Sequence, residues 1–138
     1  MRVWWGAPIA AAMLLAVGST TAAAQEKTHG CACLHNDTAA TINFRYKWGE
    51  GQWHSVKLQP RFEDAICWKY DNAQKSSPNL TFQLDVDMTK GVSAWTTYAI
   101  SRVQTAGAQC SVVGKGGHYD ISYRPNSNNG FIQVTHRP

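Results

Sequence analysis

The sequence contains no long apolar segment and no cluster of like charges. Its single apolar run, Ile9–Val17, is too short to cross a bilayer, which needs roughly 20 residues, and no second run follows. The net charge is +4, but the 13 Lys and Arg residues are scattered among polar and aromatic residues and form no basic cluster. The chain is therefore predicted neither to span a membrane nor to bind nucleic acid.

Motifs for covalent catalysis and for nucleotide binding are also missing. There is no Gly-x-Ser-x-Gly, no phosphate-binding lysine motif and no dinucleotide glycine motif. Asp85 and Asp87 share one side of a strand, but they alternate with apolar residues as on any solvated sheet face. We expect His54 and His118 at the surface or on edge strands. The sequence thus predicts a protein that is not an enzyme and has no cofactor.

The amino terminus has the three parts of a secretory signal. Arg2 gives one positive charge, Ile9–Val17 the apolar middle, and the alanines ending at Ala24 the small-residue cleavage site. We predict that residues 1–24 are a cleaved signal peptide and that 25–138 form one secreted or periplasmic domain. Residues 25–30 are expected to be a loose polar leader.

Four cysteines, Cys31, Cys33, Cys67 and Cys110, lie in the predicted mature chain. An even number of cysteines in an exported chain favours disulfides. Because a bond between Cys31 and Cys33 would close a very tight ring, we expect two long-range bonds from this pair to Cys67 and Cys110. The sequence leaves both pairings open.

After the leader, the dominant period of apolar residues is two, which is typical of half-buried strands. Gly- and Pro-containing turns separate the segments, and the total is about eight short strands. The sequence therefore predicts an all-β, antiparallel, disulfide-stapled β-sandwich. The predicted strands are 41–48, 52–59, 65–71, 80–88, 95–104, 110–113, 118–124 and 131–136, with another starting at 33–34.

Two groups of residues are candidates for binding. Trp53 shares its strand side with Ser55 and Lys57, opposite Val56 and Leu58, so its ring is the best candidate for exposure. A ring of this kind stacks on sugars or contacts a protein partner.

The second group combines imidazoles and thiols, the ligands preferred by Zn or Cu. It consists of His29, Cys31, Cys33 and His35. Export favours disulfides at these cysteines, so our first interpretation is that this group does not bind a metal.

A pattern of about 40 residues begins with Cys33, Asn36 and Thr38 and continues through Trp48 and Trp53. It resembles small secreted or periplasmic bacterial β-sandwich proteins of uncharacterised function. These proteins have a Cys-x-x-Asn-x-Thr opening followed by a tryptophan-bearing hairpin and a Leu-x-Pro-Gly turn. The matching residues here are Cys33, Asn36, Thr38, Ile42, Phe44, Tyr46, Trp48, Gly49, Trp53, Leu58, Pro60, Trp68 and Tyr70, whereas Arg61 replaces the final glycine. The resemblance implies no catalytic residues.

The combined expectation is a secreted or periplasmic, non-enzymatic binding module. Its partner would be another secreted protein or a component of the cell envelope. One alternative is a small carbohydrate-binding domain that uses Trp53 and binds a polysaccharide. The other is a metal-handling protein that uses the group from His29 to His35.

Overall fold

The computed structural model describes residues 25–89 and 91–138, together with Val3 and Gly6. The predicted signal peptide lies outside the described residues except for these two, and it stays a prediction. Among the described residues, no helix is long and apolar enough to cross a membrane.

The described chain forms nine strands and one short 3-10 turn. In chain order the strands are β1 His29–Asn36, β2 Ile42–Trp48, β3 His54–Leu58, β4 Glu63–Lys69, β5 Leu80–Asp85, β6 Trp95–Tyr98, β7 Val103–Thr105, β8 His118–Tyr123 and β9 Ile132–His136. They make two sheets, one ordered β4-β1-β8-β9 with β7 also paired to β1, and one ordered β3-β2-β5-β6. The prediction of an all-β, disulfide-stapled sandwich is confirmed.

Strand β1 is the centre of the larger sheet. It pairs with β4 along one side and, on the other, first with β7 and then with β8. The pairing with β8 is parallel, whereas the other strand pairs are antiparallel. Because side chains alternate along a strand, β1 divides its residues between two environments.

One side of β1 faces the core between the sheets. Ala32 and Leu34 are fully buried there against residues of the other sheet such as Phe44 and Phe82. Cys31 and Cys33 point the other way, into a second, smaller apolar cluster with Val113. The segment that follows β7 therefore covers part of the outer face of the larger sheet.

Two predicted strands are wrong in detail. The segment Cys110–Val112 is a 3-10 turn, not a strand, since Val113 N–H donates to the Cys110 carbonyl at 3.1 Å. The predicted long strand 95–104 is two strands, β6 and β7, which belong to different sheets. Ile100 is buried in the core where the chain crosses between the sheets.

The predicted leader is also shorter than expected. His29 and Gly30 belong to β1, and Thr28 N–H donates to the Thr105 carbonyl at 2.8 Å. This segment is ordered by backbone pairing on both sides of β1, which its polar composition does not reveal.

Asn36 links the end of β1 to the other sheet. Its amide nitrogen donates to the carbonyls of Ala40 at 2.8 Å, Leu58 at 3.0 Å and Gln59 at 3.1 Å. Its amide oxygen accepts from the Thr38 N–H at 3.0 Å and the Thr38 hydroxyl at 2.7 Å. Both side chains are buried, so this network satisfies backbone groups that water does not reach.

Arg61 occupies the position where the Leu-x-Pro-Gly pattern has glycine. Its φ of 67° lies in the left-handed region that glycine adopts without strain. The same arginine forms an exposed ion pair with Asp37. Arg61 thus adopts a backbone conformation that favours glycine.

We expect Asn36→Ala to lower the free energy of unfolding by about 2–4 kcal/mol, because it leaves several buried polar groups without partners. Chemical denaturation measures this change. The control is Asn72→Ala, whose side chain bonds only to exposed neighbours. Equal stability of the two variants would contradict the role given to Asn36.

Burial raises the pKa of Asp64, which is half-buried on β4. A raised pKa means that the folded state binds the proton more tightly, so this group lowers stability as pH rises from its ordinary pKa through the raised value. We expect Asp64→Asn to increase stability at pH 7 by less than about 1 kcal/mol, given partial solvation, with no gain at pH 3. A pH series of denaturation curves tests this, and a gain that grows toward acid pH would contradict it.

Candidate functional site

The four residues of the predicted thiol–imidazole group do not converge. They occupy every second position of β1 and so lie on the same side of the strand. In an extended strand this places His29 and His35 about 20 Å apart. His29 Nδ1 contacts the Thr28 hydroxyl at 2.8 Å, at the other end of β1 from His35. This set therefore does not form a single metal site.

All four cysteines are paired in disulfides. Cys31 bonds to Cys67, which is its direct cross-strand neighbour on β4, with a Cα–Cα distance of 4.2 Å. Cys33 bonds to Cys110 with a Cα–Cα distance of 5.4 Å. The prediction of two long-range disulfides is confirmed, and the structure supplies the connectivity that the sequence left open.

Trp53 lies just before β3, on the outer face of the β3-β2-β5-β6 sheet. Trp53 is 37% exposed. The guanidinium of Arg45 lies 4.5 Å from the Trp53 ring centre and 4.3 Å from that of Trp95. The ammonium of Lys47 lies 4.9 Å from the Trp53 ring. We call this surface, defined by Trp53, Arg45, Lys47 and Trp95, the tryptophan face.

Arg45 is held in position by a polar network that crosses the sheet. Its Nε donates to the Gln83 amide oxygen at 2.8 Å, and the Gln83 amide nitrogen donates to the Thr97 hydroxyl at 3.1 Å. Strand pairing aligns these residues because β5 lies between β2 and β6. The cation is therefore pre-positioned, and a ligand need not order it.

A groove of about 500 Å³ lies beside Trp95 on the same side of the sheet. Its walls combine the apolar residues Phe44, Val56 and Trp95 with four polar or cationic ones, Asn43, Ser55, Lys57 and Ser93. A mostly apolar lining with a few polar groups is the usual composition of a ligand site. The sequence pointed to Trp53 alone; the cation and the second ring were missed because they come from β2 and β6.

The paired carboxylates of Asp85 and Asp87 hold the turn between β5 and β6. The Asp85 carboxylate accepts from Ala94 N–H at 2.9 Å. The Asp87 carboxylate accepts from the Thr89 N–H at 2.9 Å and from its hydroxyl at 2.6 Å. Both side chains therefore have local structural contacts in this turn.

His118 is neither at a sheet edge nor isolated. Strand β8 lies between β1 and β9, and His118 Nδ1 lies 2.8 Å from His35 Nε2. His35 Nδ1 lies 3.1 Å from Glu63 Oε2. Burial, together with the nearby Arg137 charge, lowers the pKa of His35, and the Glu63 carboxylate offsets this only in part. Sequence reasoning missed this contact because 83 residues separate the two histidines.

Comparison with protein-family models found no match, and comparisons with curated proteins and with solved structures found none either.

We expect stability to fall less when two cysteines that are bonded to each other are replaced than when one cysteine of each disulfide is replaced. Cys33→Ala/Cys110→Ala should keep the Cys31–Cys67 bond and lose about 2–5 kcal/mol of stability. Cys33→Ala/Cys67→Ala removes one partner of each bond, so it should lose more. Denaturation curves and thiol alkylation of both variants measure this. The opposite order would contradict the connectivity.

Proposed function

We propose that this chain is an exported, non-enzymatic binding module whose tryptophan face binds an acidic polysaccharide of the cell envelope. The observation that carries the proposal is the position of Arg45 between the rings of Trp53 and Trp95. Cation–π contacts hold Arg45 and the two rings in place, and the exposed part of Trp53 leaves stacking surface beside the charge.

The charge of the tryptophan face favours an anionic ligand. Arg45, Lys47 and Lys57 supply three cations on this side of the sheet, against the Asp85 carboxylate, which already accepts a backbone N–H. The amide of Gln83 and the hydroxyl of Thr97 add groups that can bond to sugar hydroxyls. A neutral sugar would leave the cations without an anionic partner.

Export is the second part of the proposal. It rests on the signal-like residues 1–24 and on the two disulfides, which persist in oxidising compartments such as the periplasm or the extracellular space. An envelope polysaccharide is available to a protein in either location.

The test is titration of the purified protein with soluble polymers of defined chemistry, in which tryptophan fluorescence and calorimetry measure binding. Polygalacturonate supplies sugar carboxylates, dextran supplies neutral sugar, and poly-L-glutamate supplies carboxylates on a polypeptide. We expect binding to polygalacturonate that weakens with added salt, because screened charges contribute less, and little binding to dextran.

Trp53→Ala is expected to weaken binding of polygalacturonate at least about fivefold, as truncation of an aromatic anchor does. Phe62→Ala is the matched control, since Phe62 is also an exposed ring, at 58%, but lies before β4 in the other sheet. Equal binding of dextran, or unchanged affinity of Trp53→Ala, would contradict the proposal. Tighter binding of poly-L-glutamate would instead indicate an acidic protein partner.

A further inference from the structure

A pair of histidines on the larger sheet has an arrangement that the tryptophan face does not use. His35 comes from β1 and His118 from β8, the two strands that pair in parallel. Their ring centres are 5.1 Å apart with 24° between the ring planes, and His35 Nε2 lies 2.8 Å from His118 Nδ1. With the ring centres 5.1 Å apart, a nitrogen–nitrogen distance of 2.8 Å requires both nitrogens to lie close to the line between the ring centres. The rings therefore meet edge to edge, with their facing nitrogens directed at each other.

The other nitrogen of each ring faces a group that can only accept a hydrogen bond. His35 Nδ1 lies 3.1 Å from the Glu63 carboxylate, and His118 Nε2 lies 2.7 Å from the Val113 carbonyl oxygen. Each of these outer nitrogens must therefore carry a hydrogen. When both rings are neutral, each has only one N–H, so the facing nitrogens present lone pairs to each other. A cation between them, either a proton or a metal ion, removes the resulting repulsion.

We propose that His35 and His118 bind a metal ion of the Zn²⁺ class between their facing nitrogens. Metal-bound histidines typically donate their second N–H to a carboxylate or a backbone carbonyl, and here Glu63 and Val113 supply one of each. Zn–N bonds of 2.0–2.1 Å in tetrahedral geometry place the two nitrogens about 0.5 Å further apart than here, and each ring must also turn by about 35° to direct its lone pair at the ion.

Solvent reaches His35 from one side. A recess of about 260 Å³ is lined by His35, Asp120 and Arg137 among others, and water ligands of a bound ion would enter from it. Cys33 Sγ is 3.4 Å from His35 Nε2, but its bond to Cys110 removes it as a thiolate ligand. The site is thus formed by imidazoles and differs from the thiol–imidazole group expected from the sequence.

The experiment is calorimetric titration of the untagged, disulfide-intact protein with ZnCl₂, with NMR of the imidazole ¹⁵N resonances. We expect one equivalent of Zn²⁺ to bind and to shift His35 Nε2 and His118 Nδ1. His35→Gln and His118→Gln should each lower the affinity at least about tenfold, and Glu63→Gln about 10–100-fold by loss of the outer-shell carboxylate. Binding should also raise the unfolding temperature.

His54→Gln is the matched control, because His54 is an exposed histidine on β3 that stacks on Tyr46. Its affinity should equal that of the unchanged protein. If His118→Gln does not fold, Glu63→Gln serves instead, since Glu63 is 54% exposed. No binding up to about 1 mM Zn²⁺, equal loss in His54→Gln, or binding that requires reduced, alkylatable thiols would overturn the proposal.

Discussion

The structure depends on the alternation of side chains along β1. This strand is paired on both sides, so a shift of one residue would exchange its two faces completely. In the observed register, Ala32, Leu34 and Asn36 face the other sheet, whereas Cys31, Cys33 and His35 face outward. The core, the disulfides and the histidine pair all follow from that one register. The two disulfides in turn fix it, because each bonds an outward cysteine to a neighbouring segment.

The two proposed binding surfaces belong to different sheets and have different chemistry. The smaller sheet presents aromatic rings and cations, which suit an extended anionic ligand. The larger sheet presents two imidazoles beside a disulfide, which suit a single metal ion. Since Asn36 links the end of β1 to the end of β3, both surfaces rely on the same buried hydrogen bonds for their relative position.

The period of two was sufficient to predict the sandwich and most strands, because alternation is a local property that a sequence displays directly. The crossing at Ile100 was not predictable, since the β-rich segment 95–104 looks continuous although tertiary packing divides it between sheets. The 3-10 turn at Cys110 was missed for a similar reason: a disulfide and the outer face of β1 determine its path. Of the site residues, Trp53 was identified from its strand side. Arg45, Trp95 and His118 required knowledge of which strands are neighbours.

We propose that polysaccharide binding belongs to the outer face of the smaller sheet, separate from the disulfide-bonded face. Amide and indole NMR shifts during titration with polygalacturonate test this most directly. We predict shifts at the indole N–H groups of Trp53 and Trp95 and at amides of β2, β3 and β5, with β1 and β8 unchanged. Shifts concentrated on β1 and β8, or no shifts at all, would contradict it.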